Sequence, residues 1–162
     1  MRILDAAQLR ASFVNVSVRE RKAIPLPDLD EVAWEEIDVL GWRDPKLPLV
    51  AYAVAIVDDA PVGLLLRQAE QSPRRRTQCA WCQDVHLPND VVMFSARRAG
   101  AAGRRGDTIG TYVCQNFECN VNARATPRMA YVGFDVEGAR AARMAAFRGN
   151  VERFMREVLA TA

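Results

Sequence analysis

The four cysteines of this 162-residue chain fall into two pairs, Cys79-Ala-Trp-Cys82 and Cys114-Gln-Asn-Phe-Glu-Cys119, with 31 residues between the pairs. Two thiolates separated by two residues can grip one metal ion from a tight turn. A second pair, returned by an intervening hairpin, completes a tetrahedron. Zn²⁺ suits such a set, because it accepts four sulfurs and has no redox chemistry of its own. Two other chemistries compete. Structural disulfides need an oxidising compartment, and the start, Met1-Arg2-Ile3-Leu4-Asp5, lacks the basic segment, apolar run and cleavage site of a secretory leader. A redox dithiol opens a helix after an apolar strand, whereas Cys79 follows Pro73-Arg74-Arg75-Arg76. The pattern therefore predicts a structural Zn²⁺ held by Cys79, Cys82, Cys114 and Cys119.

A catalytic zinc keeps an open coordination position, and four cysteines leave none. The single histidine, His86, follows Cys82 by four residues. It could replace a thiolate, but the set is already full. No nucleophile elbow surrounds it in Asp84-Val85-His86-Leu87-Pro88, so nucleophilic catalysis lacks its base. We expect no catalytic residues and no small-molecule substrate. The acids of the N-terminal half offer an enzyme reading only as a solvated helix face.

The net charge of +2 conceals an asymmetry: residues 1–66 carry −4, residues 67–128 carry +5 and residues 129–162 carry +1. Basic charge concentrated around the cysteines points to an anionic partner, either RNA or an acidic protein face. No apolar run approaches the roughly 20 residues of a membrane span. These features predict a cytoplasmic protein without a membrane partner.

The elements that must position the cysteines follow from periodicity and turn chemistry. Asp5 to Phe13 reads as a short helix, and Ser17-Val18-Arg19-Glu20 as a capping box. Apolar spacing through Asp30 to Leu40 predicts another short helix, with Gly41 at its C-cap. Leu49 to Val57 and Val62 to Arg67 read as two strands around an Asp58-Asp59-Ala60-Pro61 turn. Val91 to Ala96 and Thr108 to Val113 read as two more. Between them lies a basic, glycine-rich loop, Arg97 to Asp107. It lacks the Gly-Lys-Ser/Thr ending of a nucleotide-binding loop and reads instead as a contact loop. Met144, Phe147, Val151, Phe154, Met155 and Val158 form a helical stripe that predicts core packing, with a kink possible at Gly149-Asn150.

Knuckle, hairpin, second cysteine pair and short helix is the order of a treble-clef zinc finger. The run Cys79-Ala-Trp-Cys82, Ala96-Arg-Arg-Ala-Gly100, Gly103-Arg-Arg-Gly106-Asp-Thr-Ile-Gly110-Thr-Tyr-Val-Cys114 and Cys119 resembles the C-terminal treble clef of the elongation factor G-binding proteins, the fusidic acid resistance family. Leu40-Gly41-Trp42-Arg43-Asp44-Pro45 and Pro61-Val62-Gly63-Leu64 are similar to further segments of actinobacterial members. The resemblance covers most of residues 40–124. It implies a zinc-bearing domain that binds elongation factor G without catalysis, with the family's ligand positions falling on the same four cysteines. Resistance members, which promote release of the drug-stalled factor from the ribosome, also carry a helical bundle ahead of this domain. Too few residues precede Cys79 for a comparable bundle, so the resemblance carries over factor binding rather than resistance.

The expected architecture is α+β, a small antiparallel sheet with flanking helices and a treble clef, in a single domain over 1–162. Its parts are a helical segment over 1–45, a β-hairpin over 46–72, the zinc finger over 77–125 and a C-terminal helix over 136–160. The expected contact surface for the factor comprises Arg97, Arg98, Arg104, Arg105, Thr111, Tyr112 and Phe117. The competing expectation is a ribosome- or rRNA-binding zinc protein using the same arginines.

Overall fold

The computed structural model describes residues 1–71, 73–129 and 131–160. Its centre is β2 (Val50–Val57), whose eight residues are apolar and mostly β-branched or alanine. Alternation sorts them between two cores. Ala51, Ala53, Ala55 and Val57 face one side, and Val50, Tyr52 and Val54 the other. Because both faces are covered, the strand reads as a continuous apolar run.

β2 pairs antiparallel with β1 (Val39–Arg43) and with β3 (Ala60–Gln68). The β2–β3 turn is Asp58-Asp59, both residues at positive φ, as a two-residue hairpin of type I′ requires. β4 (Val91–Arg97) and β5 (Thr108–Cys114) complete a sheet of order β1-β2-β3-β4-β5. β3 meets β4 only at Arg67 and Gln68. Higher up, the N-terminal segment fills the opening. Val14 N donates to Gly63 O, Gly63 N donates to Ser12 O, and the buried Asn15 amide bonds both backbone groups of Leu65.

One sheet face carries α1 (Ala6–Ala11), α2 (Val18–Ala23) and the segment that follows. Leu4, Leu9, Phe13, Ile24 and Trp34 pack there against Leu40, Tyr52 and Leu65. Phe13 meets Trp42 and Tyr52 edge-on. The capping box at Ser17 and Glu20 forms as the sequence predicts. The other face carries α5 (Val136–Leu159), whose Phe147, Val151, Phe154, Met155 and Val158 are buried. The predicted stripe is therefore core. α5 runs through Gly149-Asn150 without a break. No helix among the described residues is long and apolar enough to cross a membrane.

Two readings need correction. The helix expected over Asp30 to Leu40 is a single 3₁₀ turn, Trp34–Glu36, followed by β1. Gly41 lies inside that strand rather than at a helix cap, so the segment 1–45 ends in sheet. Val39 faces the α5 side while Leu40 and Trp42 face the N-terminal helices. Burial on both faces hides this period-two pattern. The basic segment between β4 and β5, expected as a contact loop, is not loop throughout. It holds a short helix, α3 (Gly100–Arg104), with Ala102 and Gly103 buried. A Cβ on Gly103 would sit 1.8 Å from Arg98 O, so only glycine fits this corner.

Gly41 marks where the sheet meets the cysteine segment, since a Cβ there would lie 2.2 Å from Cγ of Phe117. Gly41→Ala should cost about 1–3 kcal/mol by overpacking. Denaturant unfolding monitored by circular dichroism measures this, and a loss under ~0.5 kcal/mol would mean that the contact is slack.

Candidate metal centre

The four sulfurs converge from three elements. Cys79 and Cys82 lie on a turn before β4, Cys114 ends β5, and Cys119 opens α4 (Cys119–Arg124). All four Sγ atoms lie within 4.8 Å of one another, and all four residues are buried. Cys79 and Cys119 approach to 3.6 Å, and Cys82 and Cys114 to 3.7 Å. A tetrahedron with Zn–S bonds near 2.3 Å has sulfur–sulfur edges of about 3.8 Å. The donor set therefore fits a four-coordinate zinc and leaves no open position for substrate. None of the cysteines is in a disulfide.

Local backbone explains the convergence. Ala80 N donates to Tyr112 O at 2.7 Å, which docks the first knuckle on the outer edge of β5. Trp81 N and Cys82 N point at Cys79 Sγ, at 3.3 and 3.4 Å. Phe117 turns the chain at positive φ (60°), and its N–H donates to Cys114 O. The Trp81 and Cys82 N–H groups favour thiolate at Cys79.

Packing four thiols so closely splits their acidity. Hydrogen bonds from the thiols of Cys114, Cys119 and Cys82 hold Cys79 well below the ordinary thiol range. Cys82 comes down to about 7, chiefly through Cys114. Cys119 is pushed well up, first by its bond with Cys114. The cluster gives up its first proton readily and holds its last until a cation takes the protons' place.

Three residues that spacing did not single out surround the sulfurs. Asn122 Nδ2 lies 3.5 Å from Cys114 Sγ and 3.8 Å from Cys82 Sγ, oriented by Asn89 Oδ1 at 2.8 Å. Arg143, on α5, donates to Asp84 Oδ2 at 2.9 Å and to Asn122 O at 2.7 Å. Asn150 donates to Trp81 O at 3.0 Å. α5 thus clasps both knuckles. Asn122 follows Cys119 by one helical turn, a signal the sequence does carry; Arg143 and Asn150 carry none. His86 is exposed and stands outside the sulfur cluster.

The expected contact residues separate into two groups. Arg97 pairs with Glu20 at 2.7 Å, and Arg98 donates to the carbonyls of Glu157 and Ala160 at the end of α5. Both are engaged in holding the fold. Phe117 is 5% exposed, stacked on Phe94 with centroids 5.7 Å apart. It is a core residue, because the positive-φ turn drives its ring under the sheet rather than into solvent. Thr111 pairs with the buried Phe94 and turns toward the same side. Arg104 and Arg105 are exposed, and Tyr112 is 36% exposed on the opposite face of β5 from Thr111.

The family model described as FBP C-terminal treble-clef zinc-finger matches residues 8–158. Among solved structures, the chain is similar to the fusidic acid resistance protein FusC, with a TM-score of 0.57 and 23% identity. The likeness covers 75% of this chain and 53% of that one, so the chain spans about half the length of that relative. At this identity the likeness is one of fold. No curated protein sequence matches.

Removing Asn122 leaves all four ligands but strips two sulfurs of their donor. Asn122→Ala should weaken zinc affinity about 10–100-fold, measured by competition with a chromogenic chelator, whereas Cys119→Ser should abolish stoichiometric zinc. Protons compete for the thiolates, so zinc affinity should fall steadily as pH is lowered. A pH-independent affinity would contradict thiolate ligation.

Proposed function

The chain belongs to the FBP C-terminal treble-clef zinc-finger family, and we propose from that membership that it binds elongation factor G and modulates the factor's encounter with the ribosome. The observation that carries this reading is the family match over residues 8–158, joined to the resemblance in the Cys79–Cys119 run. The protein acts as a cytoplasmic binding module rather than an enzyme. Its zinc is structural, and its contact groups lie on the hairpin that the zinc closes.

Arg104 and Arg105 are the exposed cations of the β4–β5 corner. Arg105 has only a loose partner, Asp107 at 3.7 Å, with both side chains more than half exposed. Such a pair is worth little and yields readily to an incoming carboxylate. Tyr112 adds an aromatic face at low entropic cost. Arg97 and Arg98 position the corner through Glu20 and the α5 terminus, and α3 holds it rigid.

Calorimetric titration of purified elongation factor G tests this. Arg104→Glu with Arg105→Glu should weaken binding at least tenfold, about 1.4 kcal/mol or more, with zinc content and melting temperature unchanged. Tyr112→Ala should weaken it to a lesser degree. Unchanged affinity in both variants removes this corner from the interface, and no binding by the wild type removes the factor as partner.

A further inference from the structure

The run Pro73-Arg74-Arg75-Arg76 takes part neither in the sulfur cluster nor in the β4–β5 corner. All three arginines are exposed. None forms an ion pair among the described residues. They are nonetheless placed rather than dangling. Arg76 donates to the Leu87 carbonyl, and the run forms one wall of a cleft of about 260 Å³ whose other wall includes Asn89 and Gln115. A second, more open groove shares Arg76, Asn89 and Gln115 and continues to Asn116. The two form one track along the end of the sheet where β4 begins and β5 ends.

We propose that this track binds single-stranded RNA through its phosphodiester backbone. Three guanidiniums without a carboxylate partner among the described residues supply fork-shaped donors suited to phosphate. The opposite wall adds the side-chain amide of Gln115, which can donate and accept and so matches sugar hydroxyls and base edges, while the amides of Asn89 and Asn116 are held by Asn122 and Glu118. An acidic protein segment fits the track less well. Arginine hot spots of protein interfaces sit in well-packed, desolvated pockets, whereas both clefts are open and no aromatic residue lines either of them. The same lack excludes base stacking as the source of affinity, so binding is driven by phosphate contacts and tolerates many sequences. Two carboxylates also border the track. Glu118 is engaged internally, accepting from Asn116 N at 3.0 Å and from Asn89 Nδ2 at 3.4 Å. Asp90 stays open and limits net attraction, which places the affinity in the weak, salt-sensitive range of non-specific binding.

This site is separate from Arg104, Arg105 and Tyr112, so its test does not depend on elongation factor G. The probe is a short fluorescein-labelled oligouridylate, titrated with the zinc-loaded full chain by fluorescence anisotropy between about 50 and 200 mM salt. Wild-type protein should bind with log affinity falling against log salt at a slope near −2, about −0.7 for each of three neutralised phosphates. The triple variant Arg74→Ala, Arg75→Ala, Arg76→Ala should lose at least about tenfold at the low-salt end and most of the slope. Because these side chains are exposed, its melting temperature should not move. The triple lysine variant should recover most of the binding, which guards against a folding artefact. Three results would overturn the proposal: no wild-type binding at low salt, equal binding by the triple alanine variant, or displacement of RNA by poly-glutamate as effectively as by unlabelled oligouridylate. The last would assign the track to an acidic protein segment.

Discussion

One constraint organises the molecule: four sulfurs separated by up to 40 residues in sequence must lie within 4.8 Å of one another. Meeting it fixes the end of β5, the start of α4 and the knuckle before β4 as a unit. The segment between Cys114 and Cys119 then reaches across to the far edge of the sheet. Phe117 lies against Gly41 in β1. Asn120 accepts from Asp38 N at 2.8 Å and donates to Val39 O at 2.7 Å. The first and last strands are thereby bridged by the metal-bearing segment, which occupies part of the edge at β1 through Asn120, while the knuckle docks at Tyr112 on β5.

Charge follows the same logic. Much of the arginine content is spent inside the fold. Asp38, with a side chain only 12% exposed, holds Arg124 at 2.8 Å and Arg148 at 2.6 Å, and Arg143 ties α5 to Asp84. Half-buried pairs of this kind fix geometry more than they add stability. Exposed arginines that are not held in this way cluster in two places, the β4–β5 corner and the run before the first knuckle, while others such as Arg19, Arg67, Arg128 and Arg153 stand singly. A basic central segment thus resolves into structural arginines, two small exposed clusters and isolated exposed arginines, a distinction net charge cannot make.

The sequence exposed the metal site almost completely, because cysteine type and spacing are dictated by coordination chemistry and not by context. The strands β2 to β5, the capping box at Ser17 and the apolar stripe of α5 were legible for a related reason: local periodicity and turn residues agree there with the tertiary fold. β1 was not. Val39 to Arg43 is buried on both faces and flanked by acids, so its alternation is masked and a helical spacing fits equally well. Phe117 was misread because its role depends on a positive-φ turn that places the ring beneath Gly41, a contact across 76 residues of sequence. Arg97 and Arg98 looked like surface contacts because their partners, Glu20 and the end of α5, are likewise distant in sequence.

The central claim is that the metal acts as a structural bridge between the sheet's two ends, and hydrogen exchange with and without bound zinc tests it most directly. Asp38 N and Val39 N owe their bonds to Asn120, and Ala80 N owes its bond to the docked knuckle. On chelation these amides, with those of 112–124, should lose protection, while the β2–β3 ladder from Val50 to Gln68 keeps most of its own. Unchanged protection at Asp38, Val39 and Ala80 after complete zinc removal would contradict the account, as would simultaneous loss across β2 and β3.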